Sequence, residues 1–331
     1  MQQTFYDFSA FEMLKDRKPL LVCDNAFDNL NIQLPGEYVR FSDFKSNPLC
    51  EDARAGLRVF KKNKCDFIVA VGGGSSIDTA KCVKYFYRMD VPIMAVPTTS
   101  GTGSEATHFA VIYKNGEKQS IAHEKLLPDF VILHPDALKT LPIYQKKCTM
   151  LDALCQAIES WWSKRATPES IKYSKKAIRL ILENMESYLN NEDTGNKNML
   201  TASNLAGKAI NITTTTAPHA MSYKLTSIYG IPHGHAAALC LPKVWRYNAL
   251  KDERAGNFND IAKALGVDTG EEAVSLFENL LVNLEIMPPE NVTAGDIDLL
   301  TSSVNTKRLH NNPVRLGADT IKELYKEILE V

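Results

Sequence analysis

The sequence predicts two parts, an α/β domain with a largely parallel sheet over residues 1–141 and an all-helical domain over residues 142–331. Three observations predict this. Short β-branched runs alternate with segments of helical period up to about Leu141, two glycine- and hydroxyl-rich turns leave strands in that half, and strand signals nearly vanish after Pro142. A chain of 331 residues is long enough for two cores of ordinary size.

The strands of the first part are PLLVC (Pro19 to Cys23), DFIVAV (Asp66 to Val71), PIMAVP (Pro92 to Pro97) and DFVIL (Asp129 to Leu133). They are apolar on both faces, the pattern of a sheet covered by helices on each side. Cys50 to Lys64 and Ser75 to Arg88 supply helical period between them. Asn115-Gly116, between two extended runs, predicts a β-hairpin turn. The second part predicts helices at Ile143 to Lys164, Pro168 to Asn190, Asn198 to Ile210, around His233 to Leu250, Ala255 to Leu265, Glu271 to Leu284, Asp296 to Val304 and Asp319 to Leu329. There is no internal repeat.

Lysine plus arginine number 38 against 39 acidic residues, a formal charge of −1, and no basic block stands out. Nucleic acid and membrane surfaces therefore have no electrostatic support as partners, and a small molecule is favoured. The seven cysteines are scattered and never spaced as CxxC, which reads as reduced thiols of a cytoplasmic protein. The N-terminus has early acidic residues and no uninterrupted apolar stretch, so neither a signal peptide nor a membrane anchor is expected.

VGGGSSIDTAK (Val71 to Lys81) follows a buried-type strand and opens a helix. Gly72, Gly73 and Gly74 let the backbone turn sharply and bring N–H groups to a phosphate, with the positive end of the helix from Ser75 aimed at the same place. The competing reading is a plain tight turn. A second turn, VPTTSGTGSEAT (Val96 to Thr107), offers Thr98, Thr99, Ser100, Thr102 and Ser104 as donors. Two such turns at neighbouring strand ends suit a dinucleotide, because pyrophosphate and ribose both need ligands. Asp78 on the first helix joins the cofactor candidates. Asp24, just past the first strand, is placed to accept from an adenosine ribose hydroxyl and repel a 2′-phosphate, or equally to cap a helix.

In MLDALCQAIESWW (Met150 to Trp162), Asp152 and Gln156 lie one helical turn apart on one face, as metal ligands do, yet Gln156 is a neutral amide. Three of the seven histidines, His219, His233 and His235, fall within Ala217 to Leu239. Together with a helical aspartate they favour a divalent metal site, although no short spacing rule fits them.

GGGSSIDTAK, PTTSGTGSE, LDALCQAIE, the His219/His233 pair and NNPVRL (Asn311 to Leu316) occur in the order and at roughly the separations seen in iron-containing (group III) alcohol dehydrogenases, which the chain resembles over nearly its whole length. The resemblance implies a dehydroquinate synthase-like fold: a Rossmann-like nucleotide-binding domain, a helical domain, and a catalytic metal in the cleft between them. It implies NAD(H), with NADP as the alternative, and Fe²⁺ or Zn²⁺. Asp152, His219 and His233 match the family's ligands, whereas Gln156 stands where the family has its first histidine and Tyr223 where many members have another near the nicotinamide. An amide oxygen is harder than imidazole and suits Mn²⁺ or Mg²⁺ better. Gln156 has two alternative roles, as a donor to substrate or bound water and as a polar residue at a helix interface after metal loss. His235 is a candidate replacement ligand, but helical geometry would turn it away from His233.

DALCQAIESWWS, PHAMSYKLT, IPHGHA and RLHNNPV resemble a narrower branch, the phosphonoacetaldehyde reductases. That resemblance implies reduction of phosphonoacetaldehyde to 2-hydroxyethylphosphonate by NAD(P)H. A dianionic substrate needs cations, and Arg308 and Lys224 are the candidates, with Lys307 more easily read as solvated charge. The expected chemistry is Lewis-acid activation of the aldehyde, hydride from the nicotinamide, and a proton from water, Tyr223 or His235. Rival readings are an alcohol dehydrogenase for uncharged aldehydes, a dehydroquinate synthase-like sugar-phosphate enzyme, and a non-catalytic nucleotide-binding module. A homodimer is compatible with all of them.

Overall fold

The computed structural model describes residues 2–330 except 31, 47, 89, 115–116 and 253–255, with the backbone alone of 117, 118 and 256. The chain divides into two compact units, Met1–Pro142 with Asn184–Gly207, and Ile143–Glu183 with Lys208–Val331.

The first unit is built on strands β1 (Gln3–Phe5), β2 (Pro19–Cys23) and β3 (Val39–Phe41), helix α1 (Cys50–Lys62), β4 (Phe67–Gly72), α2 (Gly74–Phe86), β5 (Ile93–Pro97), β6 (Phe109–Lys114), β7 (Glu117–Ala122) and β8 (Phe130–Ile132). Among the described residues six strands form one sheet in the order β1-β8-β5-β4-β2-β3. Every neighbouring pair in it is parallel. Alternate residues of the central strands feed two different cores. Leu21, Val69, Val71, Met94 and Val96 pack with Phe11 and Leu14 of the N-terminal segment. Leu20, Val22, Ile68, Ala70, Ile93 and Ala95 pack with Phe60 of α1 and Ile77 and Val83 of α2. Burial on both faces is why these strands read as unbroken apolar runs. β6 and β7 make a separate antiparallel ribbon with Lys114 opposite Glu117. The predicted turn at Asn115-Gly116 lies outside the described residues.

The second unit holds α3 (Ile143–Trp162), α6 (Ala217–Tyr229), α7 (His233–Lys251), α8 (Gly256–Ala264), α9 (Gly270–Asn283), α10 (Ala294–Ser303), α11 (Thr306–Leu309) and α12 (Ala318–Leu329); α4 (Pro168–Leu189) and α5 (Asp193–Thr213) each run through the division between units. From Met150 to Trp162 every residue of α3 is buried, which makes it the central helix of its unit. Trp162 and Trp245 of α7 meet edge to face with ring centroids 5.6 Å apart. Helix α6 ends at Gly230, whose φ of +68° suits the left-handed C-terminal cap. No helix among the described residues is long and apolar enough to cross a membrane.

A single cut at Leu141-Pro142 does not describe this division, because Asn184–Gly207 belongs to the first unit. Tyr188 Oη and Ser100 Oγ are hydrogen-bonded at 2.7 Å, and Asn204 Nδ2 donates to Glu105 Oε1 at 3.2 Å. A Cβ on Gly207 would lie 2.9 Å from Gly103 Cα, so the helix touches the hydroxyl-rich turn backbone to backbone. Helical period identifies such a segment as helix but not the core it joins.

That turn is also held from within. Lys81 on α2 is fully buried and donates to the carbonyl oxygens of Ser104, Thr107 (2.8 Å) and Phe109 (2.8 Å). Burial pushes its pKa down to about 8, against the opposing fields of Asp78 and Glu105. Lys81→Met would strand these carbonyls and cost about 3 kcal/mol, a fall in Tm of about 5 °C by thermal melt; an unchanged Tm would contradict the assignment.

Candidate metal centre and cofactor turns

At the carboxyl ends of β2, β4 and β5 the first unit gathers Asp24, Gly72–Gly74 and the Thr98–Ser104 turn. Gly72 has φ +147°, and a Cβ there would lie 2.1 Å from Ser76 Oγ and 2.6 Å from Asp24 Oδ2. Cβ atoms on Gly73 and Gly74 would meet Thr99 Cγ2 at 3.3 Å and Thr102 Cγ2 at 2.9 Å. The glycines are thus required for the two turns to pack on each other as well as for any phosphate to approach. Asp24 accepts from Ala26 N (2.9 Å) and from Ser76 Oγ (3.1 Å), so it braces its own loop and joins it to the first turn.

The expected cofactor residues separate into two sets. Ser104 Oγ donates to Asp78, whose other oxygen accepts from Val111 N at 2.8 Å, and Ser100 is tied to Tyr188. The side chains of Asp78, Ser100 and Ser104 therefore hold the turn in shape. Ser75 lies in the first turn of α2, beside Gly73, its N-cap, and Gly74. Thr98 is buried, Thr99 half-buried and Thr102 exposed, and these sit beside the glycines.

In the second unit, one ligand atom each from Asp152, His219 and His233 lie within 4.8 Å of one another. Asp152 projects from the middle of α3, His219 from the first turn of α6 and His233 from the first residue of α7. Gly234 makes this possible. A Cβ there would lie 2.0 Å from Cys148 O and 2.8 Å from Asp152 Cβ, so only glycine lets the start of α7 press against α3.

The histidine orientations are fixed by groups that the sequence reading missed. Glu159 lies seven residues beyond Asp152 on the same stripe of α3 and is fully buried. His219 Nδ1 is hydrogen-bonded to Glu159 Oε1, and the other carboxylate oxygen accepts from Thr216 N at 2.7 Å and Thr216 Oγ1 at 2.9 Å. This leaves Nε2 of His219 at 3.1 Å from Asp152 Oδ1. His233 turns Nδ1 toward Ser222 Oγ at 3.4 Å, so Nε2 is the nitrogen it can offer a metal. Burial disfavours charge on His219, but Glu159 and Asp152 outweigh it and hold its pKa well above the ordinary value. Burial likewise disfavours charge on Asp152, and the two histidines with Gln156 reverse that and lower its pKa.

Gln156 is buried on the stripe between Asp152 and Glu159. Its amide lies near enough to Asp152 to help lower that carboxylate's pKa, while its Oε1 is buried without a hydrogen-bond partner among the described residues. A glutamine that merely satisfied a helix interface would not leave that oxygen orphaned. One carboxylate, two imidazoles with Nδ1 engaged and one unspent amide oxygen form a donor set that fits a divalent metal.

His235 does not belong to the cluster. Two residues beyond His233 on α7 it points about 200° around the helix. There it is bonded to Tyr144 Oη (Nδ1, 2.8 Å) and Met287 O (Nε2, 2.9 Å). Burial lowers its pKa, partly offset by the Met287 bond, and a neutral ring with both nitrogens engaged is neither a replacement ligand nor a proton donor. Tyr223 stacks flat on His233, centroids 5.2 Å apart and planes 4° from parallel. Arg308 of α11 donates from Nη1 to Tyr223 Oη at 2.8 Å. Lys224 is half-buried, about 100° round α6 from Tyr223, and Lys307 is exposed. Lys146, also missed, is buried on α3 with its pKa pushed down to about 8 by burial.

Two variants test the metal assignment. Glu159→Gln turns an amide N–H toward the Thr216 donors or His219 and should lower metal affinity by about 10–100-fold in equilibrium dialysis with elemental analysis; unchanged affinity would contradict the role of Glu159. Gln156→His should raise Zn²⁺ affinity and Gln156→Leu lower it, each by about tenfold or more. Equal affinity in all three proteins would remove Gln156 from the donor set.

Residues 9–135 match the family described as iron-containing alcohol dehydrogenase, and residues 147–329 its C-terminal domain, described as Fe-containing alcohol dehydrogenase family, C-terminal. The chain is 30% identical to a phosphonoacetaldehyde reductase from Streptomyces viridochromogenes, over 86% of this chain and 82% of that one. It is 32% identical to a 1,3-propanediol dehydrogenase from Klebsiella pneumoniae, over 83% and 81%. A sulfoacetaldehyde reductase from Bifidobacterium kashiwanohense, solved in complex with NAD⁺, superposes with a TM-score of 0.90 at 26% identity, over 100% of this chain and 97% of that one. The chain belongs to the iron-containing alcohol dehydrogenase family and is an alcohol–aldehyde oxidoreductase of that type.

Proposed function

We propose that the protein reduces a short aldehyde bearing a tetrahedral oxyanion, phosphonoacetaldehyde above all, to the corresponding alcohol, 2-hydroxyethylphosphonate, with NADH as reductant. The observation that carries this reading is the Arg308 guanidinium, bonded to Tyr223 whose ring lies flat on the candidate ligand His233. A planar guanidinium matches a phosphonate with paired N–H donors. Two of the relatives described above are named for phosphonoacetaldehyde and sulfoacetaldehyde, and both compounds hold an anion one methylene away from the carbonyl.

Asp152, His219, His233 and Gln156 would hold a divalent metal, which would supply Lewis acidity for the carbonyl, and NADH would supply the reducing equivalents. With a metal bound in place of the Nε2 proton, Glu159 would hold the remaining His219 proton on Nδ1 and keep Nε2 turned toward Asp152. Backbone N–H groups at Gly73–Ser75, where α2 begins, with the Thr98, Thr99 and Thr102 side of the second turn, would cradle the cofactor phosphates. Asp24, at the end of β2 beside the glycine turn, would accept from a ribose hydroxyl of NADH and disfavour the 2′-phosphate of NADPH. One aldehyde, one NADH and one proton give one alcohol and one NAD⁺, with the proton drawn from solvent because both nitrogens of His235 are committed. Seven buried cysteines without disulfides suit a reducing, cytoplasmic setting.

The likeness to 1,3-propanediol dehydrogenase favours a second reading, an enzyme for uncharged aldehydes. NADH oxidation with phosphonoacetaldehyde, acetaldehyde and butyraldehyde, each with Fe²⁺, Zn²⁺, Mn²⁺ or EDTA, separates the two. Phosphonoacetaldehyde should be preferred and EDTA should abolish turnover. Arg308→Ala should lower kcat/KM for phosphonoacetaldehyde by about 100-fold, roughly 2.7 kcal/mol, and leave butyraldehyde within about threefold. Equal rates on all three aldehydes would contradict the anionic-substrate reading.

A further inference from the structure

We propose that Tyr223 is a positioning residue for anion recognition, whose hydroxyl fixes the Arg308 guanidinium while its ring stacks on the candidate metal ligand His233; this rests on the anionic-substrate reading. Tyr223 lies four residues after His219 on α6, so both side chains share one face, one turn apart. Its ring covers that of His233 at 5.2 Å and 4°. Arg308 Cζ lies 4.9 Å from the Tyr223 ring centroid, within cation–π range, and Nη1 donates to Oη at 2.8 Å.

The guanidinium is therefore tethered twice to one phenol. One of its five N–H donors is committed to Oη, and the side chain is spared much of the rotamer entropy that a loose arginine would lose on meeting an anion. The oxygen of Tyr223 accepts from this cation, which gives the hydroxyl a definite task other than proton donation. It also explains why a phenol at this position matters: the ring supplies the stack on His233, and the oxygen reaches beyond it to Arg308.

Tyr223→Phe keeps the ring and deletes the acceptor. With phosphonoacetaldehyde the expected result is a KM raised about tenfold at a kcat within about threefold, with KM for butyraldehyde and metal content by elemental analysis unchanged. Methylphosphonate, as a competitive inhibitor, should weaken by a similar factor. The double variant with Arg308→Ala should be no worse in KM than Arg308→Ala alone. A fall in kcat shared by both aldehydes would overturn the proposal in favour of a proton-donating phenol. A KM that rises in Arg308→Ala but not in Tyr223→Phe would reduce Tyr223 to packing and leave the substrate reading intact. If neither variant moves the phosphonoacetaldehyde KM, the substrate reading fails and this inference with it.

Discussion

Glu159 is an acid sealed inside the helical unit, and its two oxygens are shared by three donors: His219 Nδ1, Thr216 N and Thr216 Oγ1. A buried carboxylate persists only when its lost hydration is replaced in this way. The consequence is geometric. Thr216 is the residue from which α6 starts, so Glu159 ties that start to α3 and sets His219 opposite Asp152. Trp162 Nε1 reinforces the junction by donating to Thr216 Oγ1 at 2.9 Å. The approach is strained, with Thr214 at φ +62°, and Asn311 Nδ2 stabilises it by donating to Thr213 O at 2.7 Å and Thr215 O at 3.3 Å. The NNPVRL stretch thus contributes a clamp on the chain that delivers a ligand.

Central strands and long helices were legible because burial leaves a periodic trace. β2, β4, β5 and β8 are the four runs read from the sequence, and α3, α4, α7 and α12 start within one residue of their expected starts. β1 and β3, three residues each at the sheet edges, are too short to carry a period. The allegiance of Asn184–Gly207 was illegible because glycine contacts and single polar bonds, rather than an apolar stripe, decide it. In the candidate metal centre, Asp152 and His219 are 67 residues apart and no local rule joins them; the histidine cluster and the helical aspartate suggested a site, and the resemblance picked out the ligand set. Glu159 is the third member of an i, i+4, i+7 stripe with Asp152 and Gln156, a pattern that the pair of residues one turn apart does not by itself reveal. His235 looked like a candidate because it is close in sequence to His233, and helical rotation sends it to Tyr144 and Met287 instead.

The two departures from the family pattern act on different partners. Gln156 neighbours Asp152 and offers an amide oxygen where the family has an imidazole nitrogen, which on the proposed reading would harden the donor set. Tyr223 neighbours His233 and replaces a second imidazole with a phenol that anchors a cation. On the proposed reading one changes what a metal would meet and the other what the substrate would meet, so metal preference and substrate charge would be separable properties of this chain.

The central claim is a metal held by two imidazoles, Asp152 and the orphaned oxygen of Gln156. X-ray absorption spectroscopy of the Zn²⁺-loaded protein, without substrate or cofactor, tests it most directly. The account predicts nearest-neighbour scattering from nitrogen and oxygen with the outer-ring signal of two imidazoles, and a third imidazole signal gained on Gln156→His. Three imidazoles in the unaltered protein, or no added imidazole in the variant, would contradict it.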